Sequence, residues 1–231
     1  MDISPANDDI TVTPDALQSL RSSLIFWGQE HFRAFPWRMT HDPYAILMAE
    51  VMLHRTQVAQ VVPIFEKFIN RYPKVSSLVE ADQQELQTSL SSLGLQWRIG
   101  LIYQMAQQIA DRFEGQIPND RVGLLSLPGV SEYIAGAVLC FAWNLPEPII
   151  DTNTIRIAGR LFGLEIKDSS RRNSKFRKSL ASIVDPENPR AYNYALLDLA
   201  HQVCLEKQEP VCQECPIKIH CRYGNQRSRN G

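Results

Sequence analysis

The sequence lacks any uninterrupted apolar run of the roughly 20 residues that a membrane-spanning helix needs. Its richest stretch, residues 138–150, is broken by Pro146 and Pro148. Charge of one sign is lacking too: 24 Lys and Arg stand against 25 Asp and Glu, a net of −1. Such a balance does not exclude nucleic acid, because one face of a neutral protein can still be basic. The first dozen residues, MDISPANDDITV, are acidic and polar, which fits neither a secretory signal nor a transit peptide. A cytoplasmic, nucleoid-associated and reducing setting is therefore expected. No run of alternating apolar and polar residues appears, nor an Asn-Gly hairpin between β-rich segments, which argues against a sheet protein. Internal repeats and low-complexity tracts are also missing.

Helical periodicity is present almost throughout. Thr13-Pro14-Asp15 reads as a helix start: a hydroxyl N-cap, proline at the first helical position, then an acid in the first turn. Leu17, Leu20 and Leu24 then recur on one face, Val61, Phe65, Phe68 and Tyr72 form a second stripe, and Ile102, Met105, Ile109 and Phe113 a third. Leu197, Ala200 and Cys204 continue the pattern, which places Cys204 in the last turn of a helix. The expected fold class is all-α. A chain of 231 residues can bury a substantial core as one large domain or two small ones.

Cysteine usage is concentrated. Four of the five, Cys204, Cys212, Cys215 and Cys221, fall in one short segment as C-x7-C-x2-C-x5-C. In a reducing setting this points to a metal centre before disulfides. Structural zinc more often uses two C-x2-C pairs, and here there is one, Cys212 with Cys215. Iron–sulfur is thus favoured over zinc, with zinc or unrelated reduced thiols as the alternatives. Pro210, Val211, Pro216, Ile217 and Ile219 could shield such a centre from water. Charge is patchy elsewhere. Residues 167–178, KDSSRRNSKFRK, hold six bases and one acid, and Lys218, Arg222, Arg227 and Arg229 follow in the tail. A solvated face and a phosphate-binding role both fit these runs.

Residues 120–142 read DRVGLLSLPGVSEYIAGAVLCFA, two helical segments around the short turn Leu127-Pro128-Gly129-Val130. Pro128 fixes its own φ, Gly129 opens backbone geometry closed to other residues, and Ser131 can cap the second helix. The pattern resembles a helix-hairpin-helix motif, whose amides hold a DNA phosphate without reading sequence. Downstream, Ile149-Ile150-Asp151-Thr152-Asn153-Thr154-Ile155-Arg156 places an aspartate at the mouth of another helix, eighteen residues after Tyr133. Together with the cysteine loop, this order resembles the endonuclease III and MutY superfamily of DNA glycosylases. Further landmarks are Phe35-Pro36-Trp37-Arg38, Asp42-Pro43-Tyr44, and the run from Glu50 through His54, Arg55, Thr56 and Gln57 to Val58.

The resemblance covers nearly the whole chain and implies two lobes with duplex DNA between them. Residues 36–145 would form a six-helix barrel carrying the hairpin at about 120–142, and residues 1–35 and 146–231 the cluster domain. Cys204, Cys212, Cys215 and Cys221 would ligate a [4Fe–4S] cluster through the loop 204–221. Two departures from the family pattern stand out. The first cysteine spacing is x7 where x6 is usual, and Ser131 occupies the usual place of a hairpin glycine, for which a small conformational cost is expected.

Resemblance also assigns roles. A glycosylase flips its target nucleotide into a pocket. Asp151 is matched to the carboxylate that stabilises the sugar cation and orients or deprotonates the attacking water, beyond being an ordinary N-cap. Lyase-active members carry lysine at position 133, where this chain has Tyr133, and a phenol cannot form a Schiff base. Glu50 aligns with the acid that protonates departing adenine in MutY-like enzymes; for thymine it would hydrogen-bond the base edge. His54, Arg55, Thr56 and Gln57 would face DNA, with Arg55 entering the space of the flipped base or contacting the opposite strand. Trp97 and Arg98 lie in a wedge loop, and Gly129, Val130 and Ser131 hold the phosphate. For Arg55 a plain surface charge, and for Trp97 a core position, are the alternatives. The resulting expectation is a monomeric, monofunctional enzyme that excises thymine or uracil opposite guanine, closest to the T·G mismatch-specific branch. A MutY-like adenine glycosylase is the runner-up, disfavoured because the chain stops about ten residues past Cys221, and a non-catalytic iron–sulfur DNA-binding protein is the third reading.

Overall fold

The computed structural model describes residues 4–6, 9–94 and 96–227, with side chains from 12 to 94 and from 99 to 227. Helices dominate. The exception is a ribbon of two antiparallel strands, β1 (Ser4–Ala6) and β2 (Asp9–Thr11), in the register Ser4 to Thr11 and Ala6 to Asp9. Three-residue strands are too short to show an alternating pattern, so the sequence carried no sign of them.

The chain divides into two compact units, residues 34–144 and residues 1–33 with 145–231. In the first, α2 (Pro43–Leu53) is buried from Tyr44 through Met52, and it packs on α3 (Val58–Arg71) and on α8 (Glu132–Trp143), itself buried from Ile134 through Phe141. Helices apolar on every side have to lie inside. α4 (Val75–Val79) and α5 (Gln83–Leu90) cover α6 (Gln96–Phe113), and α7 (Arg121–Ser126) leads into α8. The stripe Val61, Phe65, Phe68 and Tyr72 is buried, as are Ile102, Met105 and Ile109. Asp42 caps α2 by accepting from the Tyr44 N–H at 3.0 Å, with Pro43 at the first helical position.

The second unit joins α1 (Pro14–Glu30) to α9 (Thr152–Phe162), α10 (Ser174–Ile183), α11 (Pro189–Gln202) and α12 (Arg222–Arg227). Thr13 Oγ1 caps α1, accepting from the Ala16 N–H at 3.4 Å. Its core gathers Leu20, Leu24, Trp27, Leu161, Phe162, Tyr192, Leu196 and Leu199. α1 and α11 cross closely at Gly28, where an added Cβ would stand 2.4 Å from the Ala195 Cβ. Asp198, fully buried on α11, accepts from Arg33 Nε at 2.5 Å and from the Arg33 N–H at 3.3 Å. α11 ends at Gln202, so Cys204 lies just beyond the helix and not in its last turn; its N–H turns back to the Leu199 carbonyl at 2.8 Å.

Candidate active site and cysteine pocket

The α7–α8 connection is a tight hairpin. Asp120 caps α7 through the Gly123 N–H at 2.8 Å, and the Val130 N–H closes the turn onto the Leu127 carbonyl at 3.2 Å. Gly129 has φ +81°, a left-handed conformation that costs glycine nothing. Ser131 caps α8 by accepting from the Ile134 N–H at 3.3 Å. Its φ of −91° and ψ of 168° are ordinary extended backbone. The expected cost of serine at this place is therefore absent, because nothing there requires a positive φ. The first amides of α8 have no acceptor within the helix, and Gly129 and Ser131 are exposed beside them.

Val51, His54, Leu101, Met105, Pro128 and Gly129 line one small, mostly apolar pocket. The structure thus brings the hairpin together with the end of α2. Glu50 is buried one turn before His54. Arg55, in the α2–α3 turn, has φ +63°. For a side-chain-bearing residue this conformation costs roughly 1–2 kcal/mol, and such strain gathers at functional positions. His54, Arg55 and Gln57 are exposed, and Thr56 is partly buried, with no partner for its Oγ1 among the described residues. Tyr133 is half-buried in the first turn of α8. The side chains of Trp97 and Arg98 lie outside the described residues; their backbone belongs to α6.

Asp151 belongs to the other unit and is the N-cap of α9. Its Oδ1 accepts from the Thr154 N–H at 2.8 Å, and Thr154 Oγ1 in return accepts from the Asp151 N–H at 3.0 Å. Oδ2 accepts from Asn153 Nδ2 at 2.8 Å. The carboxylate is thus held by two donors while remaining half-exposed. Asn153 is itself oriented: its Oδ1 accepts from Arg156 Nη1 and Nη2, each at 3.3 Å. Arg156 is buried, and its guanidinium also donates to the Cys204 carbonyl and the Ala200 carbonyl, both at 2.9 Å. One side chain therefore ties the carboxylate's neighbour to the end of α11. Sequence reasoning assigned no role to Asn153 or Arg156. Their i, i+3 spacing one turn beyond Asp151 was the available signal.

The four tail cysteines line a single pocket with Ile157, Leu161, Leu199, Val203, Pro210 and Ile217. The Val211 N–H donates to the Val203 carbonyl at 2.9 Å, closing the loop 204–211, so the extra residue of the x7 spacing is taken up without carrying a thiol away. Single helical turns at Cys212–Glu214 and Lys218–His220 bring the other three cysteines round. Arg160 Nη1 lies 3.2 Å from Cys204 Sγ and its guanidinium covers the Tyr223 ring of α12. Burial, reinforced by the neighbouring thiols, pushes Cys215 up to about 12 against a partial offset from the Ile217 N–H; Cys221 rises also, again chiefly through burial. Thiols in this setting become thiolates only beside a cation. Among the described residues no three His, Cys, Asp or Glu side chains converge tightly enough to hold one metal ion. No helix among these residues is long and apolar enough to cross a membrane.

A family model described as HhH-GPD superfamily base excision DNA repair protein matches residues 48–182. The chain is 38% identical over 216 residues to the thymine/uracil-DNA glycosylase of Pyrobaculum aerophilum, spanning 90% of this chain and 93% of that protein. It is 37% identical over 214 residues to the thymine-DNA glycosylase of Aeropyrum pernix, spanning 90% and 96%. Its fold matches the solved structure of a thermostable thymine-DNA glycosylase with a TM-score of 0.83 and 26% identity, covering 92% of this chain and 98% of that one.

Proposed function

The chain belongs to the HhH-GPD superfamily of base excision DNA repair proteins, and from that premise we propose that it is a monomeric, monofunctional glycosylase removing thymine, or uracil, opposite guanine in duplex DNA. The observation that carries the reading is the doubly anchored carboxylate of Asp151. As the C1′–N1 bond of the flipped nucleotide breaks, its electron pair leaves with the base and the sugar becomes cationic. A carboxylate already oriented by two donors stabilises that cation with little reorganisation. Asp151 then takes the proton of the water that adds to C1′. Tyr133 offers no amine at the position where a Schiff base would form, so the product is an abasic site in an intact strand.

Hairpin amides around Gly129, Val130 and Ser131 suit a phosphate next to the flipped nucleotide. By resemblance, Glu50 would hydrogen-bond the base edge. The strained Arg55 and the turn His54, Thr56 and Gln57 suit the orphaned guanine, whose edge offers both donors and acceptors. Trp97 and Arg98 are assigned by resemblance to the wedge that supports the opened stack. T·G is a wobble pair, so extruding its thymine costs less than extruding thymine from T·A.

For the cysteine pocket we infer a [4Fe–4S] cluster held by Cys204, Cys212, Cys215 and Cys221. The donor set fits in kind: four thiols line one largely apolar pocket, and four thiolates are the ligand set of such a cluster. Once bound, the cluster would cross-link the loop to α11 and take no part in the bond-breaking steps.

The deciding experiment incubates the protein with duplexes holding T·G, U·G, T·A, A·G and A·8-oxoguanine, followed by alkali to reveal abasic sites. T·G should be cut at least about 100-fold faster than T·A, roughly 2.7 kcal/mol of transition-state discrimination. Efficient adenine release opposite 8-oxoguanine with T·G untouched would overturn the assignment.

A further inference from the structure

The basic run that the site leaves unused forms one surface. Six bases and one acid fall within residues 167–178; taking them out of the whole-chain totals of 24 and 25 leaves 18 bases against 24 acids. The chain is therefore not evenly neutral: a local excess of positive charge lies on α10 and the turn Ser170–Arg172 that packs beside it. Phe176, Leu180 and Ile183 turn inward and fix α10 on the core. Arg171, Arg172, Lys175, Arg177 and Lys178 are all exposed. Lys167 is paired with Glu165 at 3.0 Å.

Two features set this face apart from an ordinary solvated helix. Such helices normally interleave acids with bases at i, i+4, yet residues 169–184 contain no acid at all. The bases also crowd the N-terminal end of α10, which Asn173 caps through the Lys175 N–H at 2.8 Å. Cations repel the positive end of a helix, so the dipole works against Arg171 and Arg172, and the run itself offers no acid. A polyanion reverses the sign of both effects. Side chains and helix end then act together on phosphates, in the manner of contacts that read no sequence.

We propose that the exposed face of α10 and the turn before it is a second phosphate-binding surface, which holds the backbone of duplex DNA apart from the residues acting on the flipped nucleotide. The proposal rests on the DNA reading above, though not on the choice of thymine. Its test is the salt dependence of binding to an undamaged duplex. Each phosphate contact contributes about 0.9 to the slope of log K against log[salt]. The variant Arg171→Gln/Arg172→Gln/Lys178→Gln should lower that slope by about 2 to 3. The matching Arg171→Lys/Arg172→Lys variant should retain it, and both should melt with the wild type because the changed side chains are exposed.

An unchanged slope in the Gln variant overturns the proposal while leaving the glycosylase reading intact. A reduced slope in a protein that excises no base supports the surface and removes the glycosylase reading instead. If DNA binding is unaltered but retention on immobilised polyglutamate is lost, the face belongs to an acidic protein partner and the proposal fails.

Discussion

Replacing Asp151 by Asn separates chemistry from scaffolding. Asparagine is as good an N-cap as aspartate, so its carbonyl can still accept from the Thr154 N–H, 2.8 Å from Oδ1 in the native protein. The second anchor behaves differently. The new amide would set an N–H₂ against Asn153 Nδ2, where Oδ2 now accepts at 2.8 Å. If Asn153 flips to relieve that clash, its Oδ1 abandons Arg156, which holds it at 3.3 Å. Either way charge-assisted hydrogen bonding is lost, to the carboxylate or from the Arg156 guanidinium, about 1.5–3 kcal/mol. For a chain of this size that lowers the melting temperature by about 3–12 °C. Excision should fall much further. Removing the charge that faces the sugar cation typically costs on the order of 100-fold or more, or at least about 2.7 kcal/mol in the barrier. Single-turnover kinetics with saturating enzyme on a T·G duplex measure the rate, and titration of an uncleaved duplex measures affinity, which should be unchanged. A loss of less than about tenfold would mean that another group stabilises the cation. Equal losses in rate and affinity would mean that Asp151 is a scaffold residue only.

Three further outcomes are expected. Borohydride should trap little covalent protein–DNA complex with the wild type, and Tyr133→Lys should increase trapping by supplying the missing amine; strong trapping by the wild type would place a reactive lysine elsewhere. Gly28→Ala should destabilise by about 1–3 kcal/mol through overpacking, since its Cβ would meet the Ala195 Cβ at 2.4 Å; adding Ala195→Gly should restore most of the loss, and a silent single variant would refute the close crossing. Protein purified without added metal should be yellow-brown with about four irons per chain, and Cys212→Ser should lower soluble yield and iron content together, whereas stoichiometric zinc and no visible absorbance would reject the cluster.

Local signals explain what the sequence made legible. The helix starting at Thr13-Pro14-Asp15, the stripe from Val61 to Tyr72 and the hairpin at Gly129 each rest on side chains a few residues apart, and each stands in the structure as read. What escaped depends on distant partners or on backbone angles. Arg156 looks like any helix-face base until α11 and the residues just past its end present the Ala200 and Cys204 carbonyls to it. Arg55 gives no hint in its neighbours of a positive φ, because asparagine or glycine is the usual marker of that conformation. Serine at position 131 looked costly only because glycine was the reference; its extended backbone removes the cost.

The discontinuous unit also sets an order of assembly. α1 is synthesised early, yet Arg33 finds Asp198 only 165 residues later, and His220 reaches Ser19 across 201. The continuous unit, residues 34–144, can fold as soon as it emerges, because domains fold as units and N-terminal ones first. α1 must wait, since contacts so distant in sequence close slowly. A nascent or truncated chain could therefore present a finished hairpin to DNA while the helix that Asp151 caps still lacks its packing partners. DNA affinity would mature before the capacity to cut, so a chain lacking α11 is expected to bind DNA without excising a base.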